Sequence, residues 1–236
     1  MNILALDLSS RRGSLALLSD AEVLAECEVT EERRRTRGLF RLLPDLCRAA
    51  GVEPEALDLF APGRGPGAYT GLRLAMTVAQ ALALPGQRRV YPVDSGEALA
   101  WAVMQEQDAG SVAVLGDARR GQVWIGAFER TPDGPRARAP WSVAAPAEAA
   151  RLAPENAVAV SSDWSALSAR PEFNALRSLR WIGQDLFPRA RGVGLLALDR
   201  FSRGVAAPPP TPIYMHPAVS AATAAPTAPN PSSPEA

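Results

Sequence analysis

The run Gly63-Arg64-Gly65-Pro66-Gly67-Ala68-Tyr69-Thr70-Gly71-Leu72-Arg73 holds the residues whose types and spacing come nearest to chemistry. Glycines allow positive φ and let a backbone approach another group closely. An Ala/Leu-rich helical pattern follows at once, with Thr70 as candidate N-cap. Unpaired N–H donors and the positive end of a helix would therefore face whatever the loop touches. Arg73 falls in the first turn, where an acid is usual, which points to a carboxylate or phosphate partner or to a salt bridge within the fold. Apolar residues 57–61 precede the loop, so the unit reads strand, glycine loop, helix. It has neither the Gly-Lys-Ser/Thr ending of a Walker loop nor the spacing of a dinucleotide fingerprint. A tight turn that simply requires glycine is an equally weighted reading.

Composition removes other chemistries. The single histidine, His216, sits at the edge of a Pro/Ala-rich tail, which argues against a multi-histidine metal site and a histidine-activated nucleophile. Cys27 and Cys47 lie among apolar neighbours on a strand and a helix pattern and read as buried thiols of a reducing compartment. With 25 basic and 25 acidic side chains the net charge is zero, so no broad nucleic-acid footprint is evident. The clusters Arg33-Arg34-Arg35-x-Arg37 and Arg119-Arg120 read as solvated. No apolar run approaches the roughly 20 residues of a membrane span, and the N-terminus enters a strand pattern with no leader, so a cytoplasmic location is expected.

The elements that must position these residues follow from periodicity. Apolar or alternating runs at 2–8, 14–19 and 22–29, broken by Ser9-Ser10-Arg11-Arg12-Gly13, predict a three-stranded meander. Leu39, Leu42, Leu43, Leu46, Cys47 and Ala50 recur at helical spacing up to Gly51. A second helix is expected from Thr70 to Leu84 with Leu72, Ala75, Met76, Ala79 and Ala83 on its apolar face. A strand at 89–93 and a helix at 95–107, capped by Asp94 or Ser95, come next. Strands at 111–116 and 122–129 around Asp117-Ala118-Arg119-Arg120-Gly121 echo the opening hairpin, and the echo implies two related α/β lobes. The second lobe looks abbreviated, with a strand at 157–161, an ambiguous stretch at 163–183 and a helix near 194–202. The expected division is 1–108, a smaller lobe at 109–216, and a disordered Pro/Ala-rich tail at 217–236.

Three stretches together carry a resemblance: Ile3–Ser10 with Gly13–Leu17, Gly65–Arg73, and Asp117–Trp124. They resemble the TsaB (YeaZ) family, the dimerisation subunit of the bacterial machinery that makes threonylcarbamoyladenosine in tRNA. Residues 92–100 and Pro212-Ile213-Tyr214-Met215 fall where that family has similar segments. The resemblance implies the two-lobed actin-like, sugar-kinase and Hsp70-type (ASKHA) fold. It also implies a subunit without catalysis of its own, which pairs through its first two helices with a paralogous, metal-binding TsaD-like transferase. A TsaE-like ATPase would complete the set, a homodimer could form when the chain is alone, and tRNA would be met indirectly. No cofactor is assigned to the chain, with ATP entering at the level of the complex. Gly38-Leu39-Phe40 departs from the family's usual His-Ser-Glu run, and Ala68-Tyr69 from its common Ser-Phe.

In kinases of that fold the hairpin bearing Asp7, Ser9, Ser10 and Gly13 surrounds phosphate, so these residues are candidates for a phosphate-loop remnant. The competing reading is a local turn whose side chains satisfy their own backbone. Partner contact is expected of Leu39, Leu43, Leu46, Leu72, Arg73, Met76 and Ala79, with Gly65, Pro66, Gly67, Thr70 and Gly71 forming the motif loop. An ATP-dependent small-molecule kinase or ATPase of the same fold is the alternative, although Arg119 and Arg120 stand where small residues would admit phosphate. Because Pro, Ala and Ser cannot offset the entropy of ordering, truncation after Pro217 is expected to leave melting temperature and partner binding unchanged. A fall of several degrees would mean that the tail docks on the body.

Overall fold

The computed structural model describes residues 1–29 and 36–215; the Arg33–Arg35 run, His216 and the tail at 217–236 lie outside them. The opening meander forms as expected: β1 (Asn2–Asp7), β2 (Gly13–Ser19) and β3 (Glu22–Val29) pair antiparallel, with Leu4 opposite Leu17 and Asp7 opposite Ser14. β1 then pairs in parallel with β4 (Leu59–Pro62), and β4 with the short β5 (Arg89–Val90). The first sheet thus runs β3-β2-β1-β4-β5. β1 is apolar along its length because both of its faces are covered. Leu4 and Leu6 face α1 (Thr36–Ala50) and α2 (Tyr69–Ala83), whereas Ile3 and Ala5 face the interior of the molecule.

The second sheet repeats this plan. β6 (Ser111–Arg119), β7 (Gln122–Thr131) and β8 (Gly134–Ala137) form an antiparallel meander, and β6 continues in parallel through β10 (Val158–Ser161) to β11 (Arg180–Asp185). Strand order and direction match the first sheet, which establishes the two-lobed architecture expected above; β9 (Ser142–Ala144) is an addition paired to β7. The outer helices account for the abbreviation. Where the first lobe has 15-residue helices, the second has α4 (Pro146–Leu152, 7 residues) and α5 (Trp164–Ser168, 5 residues). The ambiguous stretch resolves into α5, a 3₁₀ segment at Pro171–Ser178 and β11. β8, β9 and α4 went unread, since short elements carry too few residues to establish a period.

Two helices form the inner layer. α3 (Ser95–Glu106) lays Leu99, Val103 and Met104 against Val112, Val114 and Phe128 of the second sheet. α6 (Ala190–Ser202), longer than the expected 194–202, returns to the first sheet, where Ala190, Val193 and Ala197 meet Ala5, Ala16 and Leu18. Small residues on both surfaces let this helix lie close; a side chain at Gly194 would crowd Leu18 and Ala5. Where α3 and α6 meet, Arg200 donates to both oxygens of Glu97, at 2.5 and 3.0 Å. The side chains are 9% and 22% exposed for Glu97 and Arg200. Burial pushes the Glu97 carboxyl above its ordinary value, and the hydrogen bonds and charge of Arg200 pull it back only in part.

Removing one member of such a pair strands the other in a dry site. Glu97→Gln is expected to lower unfolding free energy by about 3 kcal/mol, the lower end for a buried pair because Arg200 keeps some solvent. The double change Glu97→Leu with Arg200→Leu should recover most of that loss in urea titrations. A neutral Glu97→Gln would mean that the crossing does not depend on the charge.

Candidate functional site

The glycine loop emerges from β4 onto the end of β1, and its glycines are used for contact with the first hairpin. A Cβ at Gly67 would strike the carbonyl oxygen of Ser9, one at Gly71 the carbonyl of Leu8, and one at Gly63 the carboxylate of Asp7. Gly65 has φ +107°, a conformation open to glycine and strained for any other residue. The backbone is bonded to match: Ala68 N–H donates to Ser9 O (2.6 Å), Gly63 N–H to Leu6 O (2.7 Å) and Ser95 N–H to Gly65 O (2.7 Å). The Ser95 hydroxyl accepts from Gly65 N–H (3.1 Å).

Helix α2 starts one residue earlier than expected. Ala68 occupies the N-cap position with no side-chain cap, and Thr70 is exposed within the first turn. Arg73 is exposed too, and its guanidinium lies 4.9 Å from the centre of the Tyr69 ring. The loop is packed closely on the backbone of the first hairpin. Asp94, at the N-cap position of α3, accepts from Arg64 Nε (2.6 Å) and Trp141 Nε1 (3.0 Å), so it ties the loop to the second lobe.

The hairpin residues bond to their own turn. Asp7 is fully buried, and its Oδ1 accepts from Ser9 N–H (3.0 Å) and from the Ser9 hydroxyl (2.6 Å). Ser10 bonds Arg12 O (2.8 Å), and Gly13 is packed on Leu8 and Val29. The second hairpin repeats the device, Asp117 Oδ1 accepting from Arg119 N–H (2.8 Å). There the resemblance between hairpins stops: Arg119, Arg120 and Gly121 all have positive φ. Asp117 also holds Arg170 (3.1 Å).

Between the hairpins lies a cavity of about 560 Å³, lined by Ser9, Ser10 and Arg11 on one side and by Asp117, Arg119 and Asp163 on the other. Asp163 accepts from Asp117 N–H (3.3 Å); burial above all, with the neighbouring charges of Asp117 and Asp185, raises its carboxyl. Arg11, one of the lining residues, pairs with Asp185 of β11. Burial acts to raise the Asp185 carboxyl, but hydrogen bonds from Ser165 and the charge of Arg11 outweigh it and hold the group below its ordinary value. Asp163 and Arg170 carry no sequence signal, since only the fold brings them to the cavity that Asp117 marks. Among the described residues no cluster of His, Cys, Asp and Glu could hold a metal ion.

Six of the seven residues expected to touch a partner have a different place, and Arg73 alone of them is exposed. Leu39, Leu43, Leu46 and Ala79 belong to the core under the first sheet, and Leu72 and Met76 are buried as well. The correction is physical: the apolar stripe of each helix is consumed by its own sheet, and what faces outward is Phe40, Tyr69, Arg73 and Leu84. Cys47 is buried as expected, and Cys27 is half-buried.

The model of the family described as tRNA N6-adenosine threonylcarbamoyltransferase, TsaD, matches residues 28–169, which include the glycine loop and the second hairpin. The chain belongs to this TsaD family. Curated relatives are named tRNA threonylcarbamoyladenosine biosynthesis protein TsaB. That of Escherichia coli (strain K12) is 31% identical over 134 residues, 57% of this chain and 58% of the relative. That of Bacillus subtilis (strain 168) is 33% identical over 129 residues, 55% and 56%. The chain therefore spans a little over half the length of the curated relatives it matches. Among solved structures, YeaZ from Pseudomonas aeruginosa superposes with a TM-score of 0.76 at 29% identity, over 90% of this chain and 100% of that one. A second, described as an uncharacterized protein with similarity to peptidase YEAZ from Pseudomonas aeruginosa, gives 0.77 at 29% identity over 91% and 99%. The motif resemblance to TsaB (YeaZ) is borne out.

The packing of the TsaD-family loop has a measurable sign. In an open helix Gly→Ala gains about 1 kcal/mol of helix propensity. At Gly71 the added methyl would meet the rigid backbone of β1's exit, and overpacking of this kind costs about 1–3 kcal/mol or more. Gly71→Ala is therefore expected to destabilise by about 2 kcal/mol net in urea titrations. A stabilised variant would return the loop to the ligand-site reading.

Proposed function

We propose that this chain is a non-catalytic subunit that binds a TsaD-like threonylcarbamoyltransferase and supports it in modifying tRNA adenosine. One observation carries the reading: its curated relatives are TsaB biosynthesis proteins, and the glycine loop of this chain makes close contact with its own backbone. Such a chain contributes shape. Docking would select the competent arrangement of the catalytic subunit, so the effect is a population shift in the partner. The outward faces of α1 and α2 are the proposed contact, with Phe40 48%, Tyr69 51% and Leu84 74% exposed and Arg73 between them. Aromatic residues and arginine are the types that dominate association energies. A TsaE-like ATPase, a homodimer of the free chain, indirect contact with tRNA and a cytoplasmic location belong to the same proposal. Among the described residues no helix is long and apolar enough to cross a membrane.

The deciding assay is reconstituted tRNA modification by the transferase, the ATPase and the carbamoyl-adenylate synthase, with and without this chain. Modification should require it, and the chain alone should neither transfer the group nor hydrolyse ATP at an enzymatic rate. Phe40→Glu and Arg73→Glu, both at exposed positions, should weaken association about tenfold or more with melting temperature unchanged. Leu43→Glu or Met76→Glu would bury an unpaired charge in the chain's own core and report on folding instead. Equal modification with and without the chain would end the scaffold reading.

A further inference from the structure

Beyond α6 the chain runs without helix or strand from Arg203 to Met215, yet it is anchored along its course. Tyr91 Oη donates to Val205 O (3.2 Å) beside β5. Pro208-Pro209-Pro210 and Pro212 then make an arm with restricted backbone freedom, which turns tightly at Pro210, where Thr211 N–H donates to Pro209 O (2.8 Å). At its end Ile213 N–H donates to Arg64 O (2.7 Å), and Ile213 O lies 3.2 Å from where a Cβ of Gly65 would be. Tyr214 stacks on Tyr69 with ring centres 5.0 Å apart. Met215 leaves the first lobe and packs against the second lobe's core, in the cluster that Trp141, Ile182 and Leu186 also join. Both Tyr214 and Met215 line the cavity between the hairpins.

We propose that residues 205–215 are a latch that holds the two lobes closed over the interlobe cavity, and that release of Tyr214 and Met215 opens it. Its position follows from the anchors. The strap is fixed to the first lobe by backbone bonds and reaches the second through one half-buried thioether, at the mouth of the cavity. A further tie is the pair of Arg11, which also lines the cavity, with Asp185 of β11, whose arginine is 58% exposed and therefore held weakly. Behind both, the buried α3–α6 layer with Glu97 and Arg200 is the part that stays together when the mouth opens. A latch made of so few partly exposed contacts belongs to the low-stability end of a fold, where local opening precedes global unfolding. It also explains why an apolar Ile-Tyr-Met island occurs inside a Pro/Ala-rich stretch. The tyrosine and methionine have docking places on different lobes.

The test uses the full chain with Cys27 and Cys47 replaced by serine and spin labels on the two exposed hairpin turns, at Arg12 and Arg120. Ending the chain after Pro212 should lengthen and broaden the label distance, and ending it after Pro217 should not. Hydrogen exchange at Ala68 and Asp117, whose N–H groups lie beside the cavity, should speed up about tenfold in the shorter chain while the sheet interiors keep their protection. Tyr214→Ala should reproduce part of the opening, and Tyr214→Phe should restore the parent distance, because the stack needs the ring and not the hydroxyl. An unchanged distance in the chain ending at Pro212 overturns the proposal. If that chain loses its cooperative melt, Tyr214→Ala decides, and an unchanged distance there overturns it equally.

Discussion

Two backbone carbonyls, those of Leu8 and Ser9, lie so close to α2 and its leading loop that only glycine fits at Gly71 and Gly67. The rest of the first lobe depends on that approach. It holds the exit of β1 against the start of α2, and so sets the height at which α2 crosses the sheet and which of its residues reach the core. Hydrogen bonds between Gly65 and Ser95 then carry the same constraint to α3, which is part of the second lobe's packing. A single Gly→Ala change at these positions would act on helix, hairpin and lobe contact together. An ordinary turn glycine acts only on its own residue.

The two sheets show how far a duplicated plan can drift while keeping its topology. Each central strand carries an aspartate, at the end of β1 and two residues before the end of β6, that accepts from the N–H two residues on, Asp7 from Ser9 and Asp117 from Arg119. That turn chemistry survives because it closes a hairpin. Its surroundings have diverged. Around Asp7 the space is filled by glycine-loop backbone, and around Asp117 by guanidinium groups of Arg119 and Arg170. A phosphate loop needs small residues with free N–H groups on both sides of a cleft. Here one side has closed on itself and the other carries long cations already engaged with carboxylates.

Much of this was legible in the sequence, and the pattern of what was not has a physical cause. The meander, α1, α2, α3 and the echo of the first hairpin were readable because each carries several residues of one clear period. The Asp7–Ser9 turn was open to reading because its partners lie two residues apart. Thr70 misled as a cap: residue type favours threonine there, but the chain enters the helix through Ala68, whose N–H is bound to Ser9, a contact between hairpin and loop that no local signal reveals. The stripes of α1 and α2 were read correctly as apolar, yet periodicity shows only that a face is buried and not against what. Leu43 and Met76 cover the chain's own sheet. The cavity residues Trp124, Asp163 and Arg170 come from separate elements, β7 and the starts of α5 and of the 3₁₀ segment, and they meet only because β6 pairs with β7 on one side and in parallel with β10, which leads into α5, on the other.

Burial of the stripes changes what a docking surface on this chain must be made of. With leucine and methionine committed inward, the outward faces of α1 and α2 offer isolated large groups such as Phe40, Tyr69 and Leu84, set among arginines and small polar residues. Such a surface tolerates water when unpaired, since scattered apolar residues are normal on a soluble protein. It gains from a partner mainly through a few anchors. Tyr69 is also bound from two sides, by the Arg73 guanidinium on the helix face and by Tyr214 at the cavity mouth. One ring therefore belongs both to the face proposed for pairing and to the mouth of the interlobe cavity. A force that reorients it on one side must be felt on the other.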